Sequence, residues 1–244
     1  MTLLKLQNVS VQYGGLVALN NLSFEAENNE VLGIIGPNGA GKTTMFNAIT
    51  GFVHPNKGRI EFEETNITKL KPHEICRIGI ARTFQLVKIF QKLTVEENVI
   101  IGALIQTNDT KKAKTIAEQE ISFFKLSNRK NRLVEDLAAA EQKKVELARA
   151  LATKPKLLLL DEFFAGLNPT ETREMALSLE QIRNKTRTIL MVEHVMKAVM
   201  AISDRIVVID HGEKIAQGKP EQIANDKQVI RAYLGDENHP VGTA

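Results

Sequence analysis

The sequence predicts an α/β protein built on a parallel sheet, and three observations carry that expectation. Residues 31–35, 157–160, 188–192 and 206–209 are apolar runs without alternation, which suits strands buried on both faces. The first of them leads directly into Gly36-Pro-Asn-Gly-Ala-Gly-Lys-Thr-Thr44, which has the spacing of a phosphate-binding loop set between a strand and a helix. A helix beginning at Asn168-Pro169, with Met175, Leu179 and Ile182 on its inner face, separates the runs at 157–160 and 188–192, the pattern expected when helices cover a sheet.

Taken in order, residues 4–11 alternate loosely. Residues 18–27 do so more regularly, with Leu19, Leu22 and Phe24 against Asn20, Asn21, Ser23 and Glu25. Both stretches read as half-buried antiparallel strands. Tyr13-Gly-Gly15 turns the chain between them, and a tyrosine there either stacks on a base or packs against the protein. After the loop, residues 45–50 read as a helix closed by Gly51. Residues 58–63 form another short strand, 72–77 start a helix, and 80–84 are an apolar strand ending at Gln85.

Residues 94–104 carry Val95, Val99 and Gly102-Ala103 at helical spacing, with Thr94 and Glu97 as a capping box. A charged helix over 111–124 and a polar connector over 127–136 complete a helical insertion. Residues 141–152 place Val145, Ala148 and Leu151 on one helical face. Asn168-Pro-Thr-Glu171 supplies an N-cap, a proline at the first helical position and a glutamate at the third, so a helix starts there and turns Met175, Leu179 and Ile182 inward. Residues 220–234 read as two short helices, and 238–244 are expected to fray.

The chain has 244 residues, enough to bury a substantial core, and a net charge of only +3 with its basic residues scattered. No basic stripe for nucleic acid results. Cys76 is the single cysteine, so no intrachain disulfide forms, and the dispersed histidines have no zinc spacing. No apolar run approaches the roughly 18 residues of a membrane span. The opening Met1-Thr-Leu-Leu-Lys5 has no signal-peptide pattern, and a cytoplasmic chain is expected.

The chemistry is concentrated at the ends of the apolar runs, where open α/β sheets hold their ligands. Through the loop Gly36, Pro37, Asn38, Gly39, Ala40, Gly41, Lys42, Thr43 and Thr44, backbone N–H groups turn toward phosphates. Lys42 reaches the β and γ oxygens and the Thr43 hydroxyl takes a Mg²⁺ position. The second run ends in Asp161-Glu162: one carboxylate suited to hold Mg²⁺, the next to polarise an attacking water. His194 follows the third run and can bond a γ-phosphate, and Gln85 can reach the metal and the water. ATP and Mg²⁺ are therefore the expected ligands.

The order of these segments resembles the ATP-binding subunits of ABC transporters. The likeness runs through the phosphate loop, Ala81-Arg-Thr-Phe-Gln85, 137–151, 157–162 and Val192-Glu-His194. Gly79 to Gln85 with Phe90, Leu93-Thr-Val95 and Asn98, then Ala165-Gly-Leu-Asn-Pro169, Ile202-Ser-Asp-Arg-Ile206 and Ile230-Arg-Ala-Tyr-Leu-Gly235, are similar to the branched-chain amino acid importer type. The resemblance implies a P-loop NTPase (RecA-like) core over 1–85 and 155–244 with an antiparallel β subdomain, and an inserted helical subdomain over 86–154. It also implies that Tyr13 stacks on adenine, Glu162 is the catalytic carboxylate, His194 is the switch histidine, and the surface around Phe90 receives a membrane subunit.

Three departures stand out against the family pattern. Leu137-Ala-Ala-Ala-Glu141 occupies the signature Leu-Ser-Gly-Gly-Gln, Phe163 replaces the proline after the catalytic glutamate, and Asn168 replaces an aspartate. The implied assembly is a head-to-tail ATPase dimer, expected to be a heterodimer, with transmembrane permease subunits and, indirectly, a periplasmic or extracellular solute-binding protein. The chain would lie on the inner face of the membrane. The rival readings are the ATPase of a lipid or lipopolysaccharide exporter and a soluble non-transport ABC-type ATPase.

Overall fold

In the computed structural model, which describes residues 1–85, 87–183, 188–193 and 196–234, each apolar run lies in an element of the expected type. The chain opens with β1 (Thr2–Tyr13) and β2 (Leu16–Glu27), whose alternating burial follows the alternation of their side chains. β3 (Val31–Ile35) is buried at all five positions and leads through the glycine loop into α1 (Lys42–Ile49), which starts three residues earlier than the sequence pattern indicates. β4 (Lys57–Phe62) and β5 (Thr65–Asn66) follow, then α2 (Pro72–Ile78) and the short β6 (Ile80–Arg82).

The helical stretch comprises α3 (Val95–Ala103) and α4 (Thr110–Phe123), a connector with 3-10 turns at Ser127–Arg129 and Val134–Asp136, and α5 (Ala139–Ala152). The Thr94–Glu97 capping box is made: the Glu97 backbone N–H donates to Thr94 Oγ1 at 3.2 Å and the Thr94 N–H to Glu97 Oε2 at 2.8 Å. The Thr94 N–H and the Thr94 hydroxyl, each 2.8 Å from Oε2, hold the Glu97 carboxyl below its ordinary pKa. β7 (Leu157–Asp161) leads to α6 (Pro169–Arg183), capped by Asn168 Oδ1, which accepts from the Thr170 and Glu171 N–H groups at 3.0 Å each. β8 (Thr188–Val192), α7 (Met196–Ile202), β9 (Arg205–Asp210), β10 (Glu213–Gly218), α8 (Pro220–Ala224) and α9 (Lys227–Leu234) complete the described chain.

These elements form two compact units, 1–70 with 191–244, and 71–190. In the first unit an antiparallel sheet has the order β2-β1-β4-β5, as the N-terminal alternation requires. Separately, β3 runs parallel to β9, with Leu32 opposite Arg205 and Ile35 opposite Val208, and β10 pairs antiparallel with β9. Gly33 sits inside β3 because α7 packs on it: an added Cβ would lie 2.7 Å from Ser203 Oγ and 2.8 Å from Val199 Cγ1. In the second unit β6 runs parallel to β7, and α3 packs against α5 at Gly102, where a Cβ would lie 2.2 Å from the Arg149 carbonyl oxygen. The result is a mixed α/β fold with antiparallel and parallel strands. Among the described residues, no helix is long and apolar enough to cross a membrane.

Two elements differ from the sequence expectation in an informative way. The strand read over 80–84 ends at Arg82, and Gln85 lies three residues past its end: the Thr83 N–H still donates to the Leu159 carbonyl at 2.9 Å, but the next donor from β7, the Asp161 N–H, goes to the Thr83 hydroxyl at 3.4 Å. β10 has no counterpart in the sequence reading. It is an edge strand with no buried residue, and no alternation marks it.

Candidate functional site

In the first unit the phosphate loop is built almost wholly from backbone. Gly39 and Gly41 adopt left-handed φ values of 81° and 100°, which let the chain turn tightly. At Gly41 a Cβ would also meet the Ala18 carbonyl oxygen at 2.5 Å, so the loop is held against β2. The buried Lys42 ammonium donates to the Gly36 and Pro37 carbonyls at 2.6 and 2.8 Å, which ties the head of α1 back across the loop. Among the described residues no side chain caps the start of α1 and no acidic residue lies in its first turn. A lysine, a helix N-terminus and the exposed Thr43 hydroxyl thus form a donor-rich set that fits an anion.

A cleft of about 750 Å³ opens against this loop, lined by Pro37, Asn38, Gly39 and Ala40 with Asp210, His211 and Arg231. Its size is that of a small-molecule site. Burial raises the Tyr233 phenol above its ordinary pKa, and a hydrogen bond with the Gly36 backbone opposes that rise. The C-terminal helix α9 therefore touches the start of the phosphate loop. Tyr13, at the end of β1, is 47% exposed beside the Gly14-Gly15 turn, with its ring available to a ligand.

In the second unit, side chains rather than backbone make the site. Asp161 and Glu162 leave the end of β7, and Gln85 follows β6. Gln85 Nε2 donates to Glu162 Oε2 at 2.6 Å, so two of the residues singled out in the sequence meet directly. Glu162 adopts φ 46°, a left-handed backbone that costs a non-glycine residue about 1–3 kcal/mol and must be held by its surroundings. Asp161 is buried and paired with Arg82, Nη2 to Oδ2 at 2.7 Å, with side-chain exposures of 4% and 6%. Its backbone N–H donates to Thr83 Oγ1 at 3.4 Å. His194 lies outside the described residues. Among those residues no group of three or more His, Cys, Asp or Glu could by itself hold a metal ion.

The three departures also have structural counterparts. Glu141 folds back on its own helix: Oε2 accepts the Ala138 N–H at 3.3 Å and Oε1 the Arg129 Nε–H at 3.3 Å. Its charge is thereby offset within the chain. Phe163 is buried, with the Lys143 ammonium 5.6 Å from its ring centroid, and Asn168 serves as the cap of α6. Arg82, Lys143 and Glu146 were not singled out from the sequence. For Arg82 the signal was its place three residues before Gln85, and for the other two a polar pair at spacing three among apolar positions of a helix.

A lysine-bearing glycine loop that joins a buried parallel strand to a helix defines a P-loop nucleotide-binding protein. A family model described as ABC transporter matches residues 19–165, and one described as branched-chain amino acid ATP-binding cassette transporter matches residues 213–239. The chain is 41% identical over 250 residues to the high-affinity branched-chain amino acid transport ATP-binding protein LivG of Salmonella typhimurium, covering 96% of this chain and 98% of LivG. It is 34% identical to the lipopolysaccharide export ATP-binding protein LptB of Haemophilus influenzae, covering 97% and 99%. An ATP-binding cassette of an ABC transporter solved in its ADP conformation superposes with a TM-score of 0.87 at 31% identity, covering 97% of this chain and all of that one. The chain belongs to the ABC transporter family, as an ATP-binding cassette.

Proposed function

We propose that the chain is the ATP-hydrolysing subunit of an importer for branched-chain amino acids. The likeness to LivG over nearly the full length of both chains carries this reading, and the branched-chain model at 213–239 supports it. On this reading the N–H groups of residues 36–44 and the Lys42 ammonium hold the β and γ phosphates, and Tyr13 stacks on adenine. Thr43, Asp161 and Gln85 are the oxygen donors for Mg²⁺, which when bound neutralises charge on the phosphates. The ion pair with Arg82 holds the Asp161 carboxylate in place for that role. Glu162 polarises the attacking water, Gln85 fixes its carboxylate, and His194 bonds the γ-phosphate.

The chain works in a head-to-tail ATPase dimer on permease subunits at the inner face of the membrane, fed by a solute-binding protein on the other side. Phe90, half exposed and flanked by Asn98 and Arg149, belongs to the surface that meets the permease. Ala138 brings no hydroxyl to the partner's phosphates, so a heterodimer is favoured in which this chain's own phosphate loop carries most of the turnover. The likeness to LptB favours lipopolysaccharide export as the second reading. The test is to purify the chain with its membrane partners and assay reconstituted vesicles. ATP-dependent uptake of leucine, isoleucine or valine is expected. Uptake of none of them, with ATP-dependent lipid extraction instead, would replace this reading with the second.

A further inference from the structure

α5 carries Lys143, Glu146 and Arg149 at every third position, which places them along one side of the helix. Lys143 and Glu146 are 8% and 1% exposed. Charges buried to that degree disfavour folding unless they are fully paired, and an apolar side chain of equal volume serves stability as well or better. Both make hydrogen bonds to backbone groups beside the Gln85–Glu162 pair. Lys143 Nζ donates to the Phe163 and Ala165 carbonyls at 2.7 and 2.6 Å, in the segment that follows Glu162. Glu146 Oε1 accepts the N–H of Phe84 at 3.3 Å and of Lys88 at 3.2 Å, on either side of Gln85. The Arg149 guanidinium donates to the Lys88 carbonyl.

The arrangement around Glu146 is poor as a stability device. Its Oε2 is buried without a hydrogen-bond partner among the described residues, and desolvation raises its carboxyl above the ordinary range against the pull of the two N–H groups. What the carboxylate does achieve is to fix the backbone around Gln85, as Lys143 fixes the backbone after the left-handed Glu162. We infer that Lys143 and Glu146 are positioning residues for hydrolysis, through which α5 holds both sides of the Gln85–Glu162 hydrogen bond and sets the distance between them. This rests on the assignment of Gln85 and Glu162 proposed above.

The test compares Glu146→Met, which fills the volume without an acceptor, with Glu146→Gln, which keeps a carbonyl acceptor, in the assembled transporter. Glu146→Met is expected to lower kcat for ATP by about tenfold or more with KM little changed, because misplacement of a catalytic group acts on the reacting geometry. Glu146→Gln is expected to stay within about threefold of the parent. In a Gln85→Ala background Glu146→Met should cost less than about twofold more, since the group it positions is gone. Amide exchange should quicken at Phe84 and Lys88 in Glu146→Met only, and at Ala165, whose N–H donates to the Glu162 carbonyl at 3.1 Å, in Lys143→Met.

Unchanged kcat in Glu146→Met, equal losses in Met and Gln, or a full further loss in the Gln85→Ala background would overturn the inference while Glu162→Gln still abolishes turnover. If Gln85→Ala and Glu162→Gln both left turnover intact, the site assignment and this inference would fall together.

Discussion

On the proposed reading the phosphate loop and the Asp161–Glu162–Gln85 cluster serve the same chemistry, yet they are built in opposite ways. The loop is a local object: Gly36 to Thr44 supply the N–H groups, the turn and the lysine, and its own carbonyls at Gly36 and Pro37 hold the ammonium. The cluster is assembled at long range. Asp161 depends on Arg82, the segment after Glu162 on Lys143, and the segment around Gln85 on Glu146, each contributed from another element. A backbone-built site binds whatever presents phosphates. A side-chain-built site can be set for turnover without disturbing that binding. Variants in the two regions should therefore separate affinity from rate.

The largest separation is expected from Glu162→Gln. The amide keeps the Gln85 contact geometry but cannot take a proton, so turnover should fall by about 10²–10⁴ while ATP still binds and holds the dimer closed. Single-turnover hydrolysis and nucleotide titration on the same preparation check this. Turnover at the parent rate would remove Glu162 from the catalytic role.

Next in size is Arg82→Met, which acts on the second unit's stability. It leaves the Asp161 carboxylate buried without its guanidinium, at a cost of about 3–5 kcal/mol, and Arg82→Lys should recover part of the loss. Urea unfolding measures both. A loss below about 1 kcal/mol, the value of an exposed ion pair, would mean that Asp161 is not locked in the way its burial indicates.

Lys42→Ala belongs to the first unit and should act on affinity. Removing the charge that faces the phosphates is worth about 1.5–3 kcal/mol, a ten- to hundredfold weaker nucleotide dissociation constant. Melting in the absence of nucleotide should fall as well, because the ammonium's bonds to the Gly36 and Pro37 carbonyls are lost, but by less than in Arg82→Met. Unaltered affinity would break the contrast between the two regions, because it would make the loop's lysine a structural tie only.

The same contrast explains what could be read in the sequence. A site encoded in nine consecutive residues is visible as a spacing, and so are strand ends such as Asp161-Glu162, where an apolar run stops at a charge. The pairing of residues 82 and 161, or of 146 with the N–H groups of 84 and 88, has no local trace. It depends on which strand lies beside which and on the face that α5 turns inward. The early end of β6 at Arg82 was illegible for that reason, since nothing within 80–84 says that the Asp161 N–H bonds the Thr83 hydroxyl. β10 was illegible for another: an exposed edge strand is under no pressure to alternate. Phe163 and Asn168, which stand out as departures from a family pattern, are ordinary once seen as a buried ring and a helix cap.

The smallest expected effect tests whether the first unit's binding extends beyond backbone and lysine. Tyr13 ends β1 at a glycine turn, 47% exposed, and its partner across the ladder is Leu16. A ring kept for packing would be buried, and its loss would lower stability without touching affinity. A ring kept for stacking gives the reverse. Tyr13→Ala should weaken ATP binding by about 0.5–1.5 kcal/mol, two- to tenfold, leave the urea midpoint in place, and be rescued by Tyr13→Phe or Tyr13→Trp, which keep the face and discard the hydroxyl. Fluorescent-nucleotide titration of the three variants decides it. Undiminished affinity in Tyr13→Ala would confine the first unit's nucleotide contacts to residues 36–44.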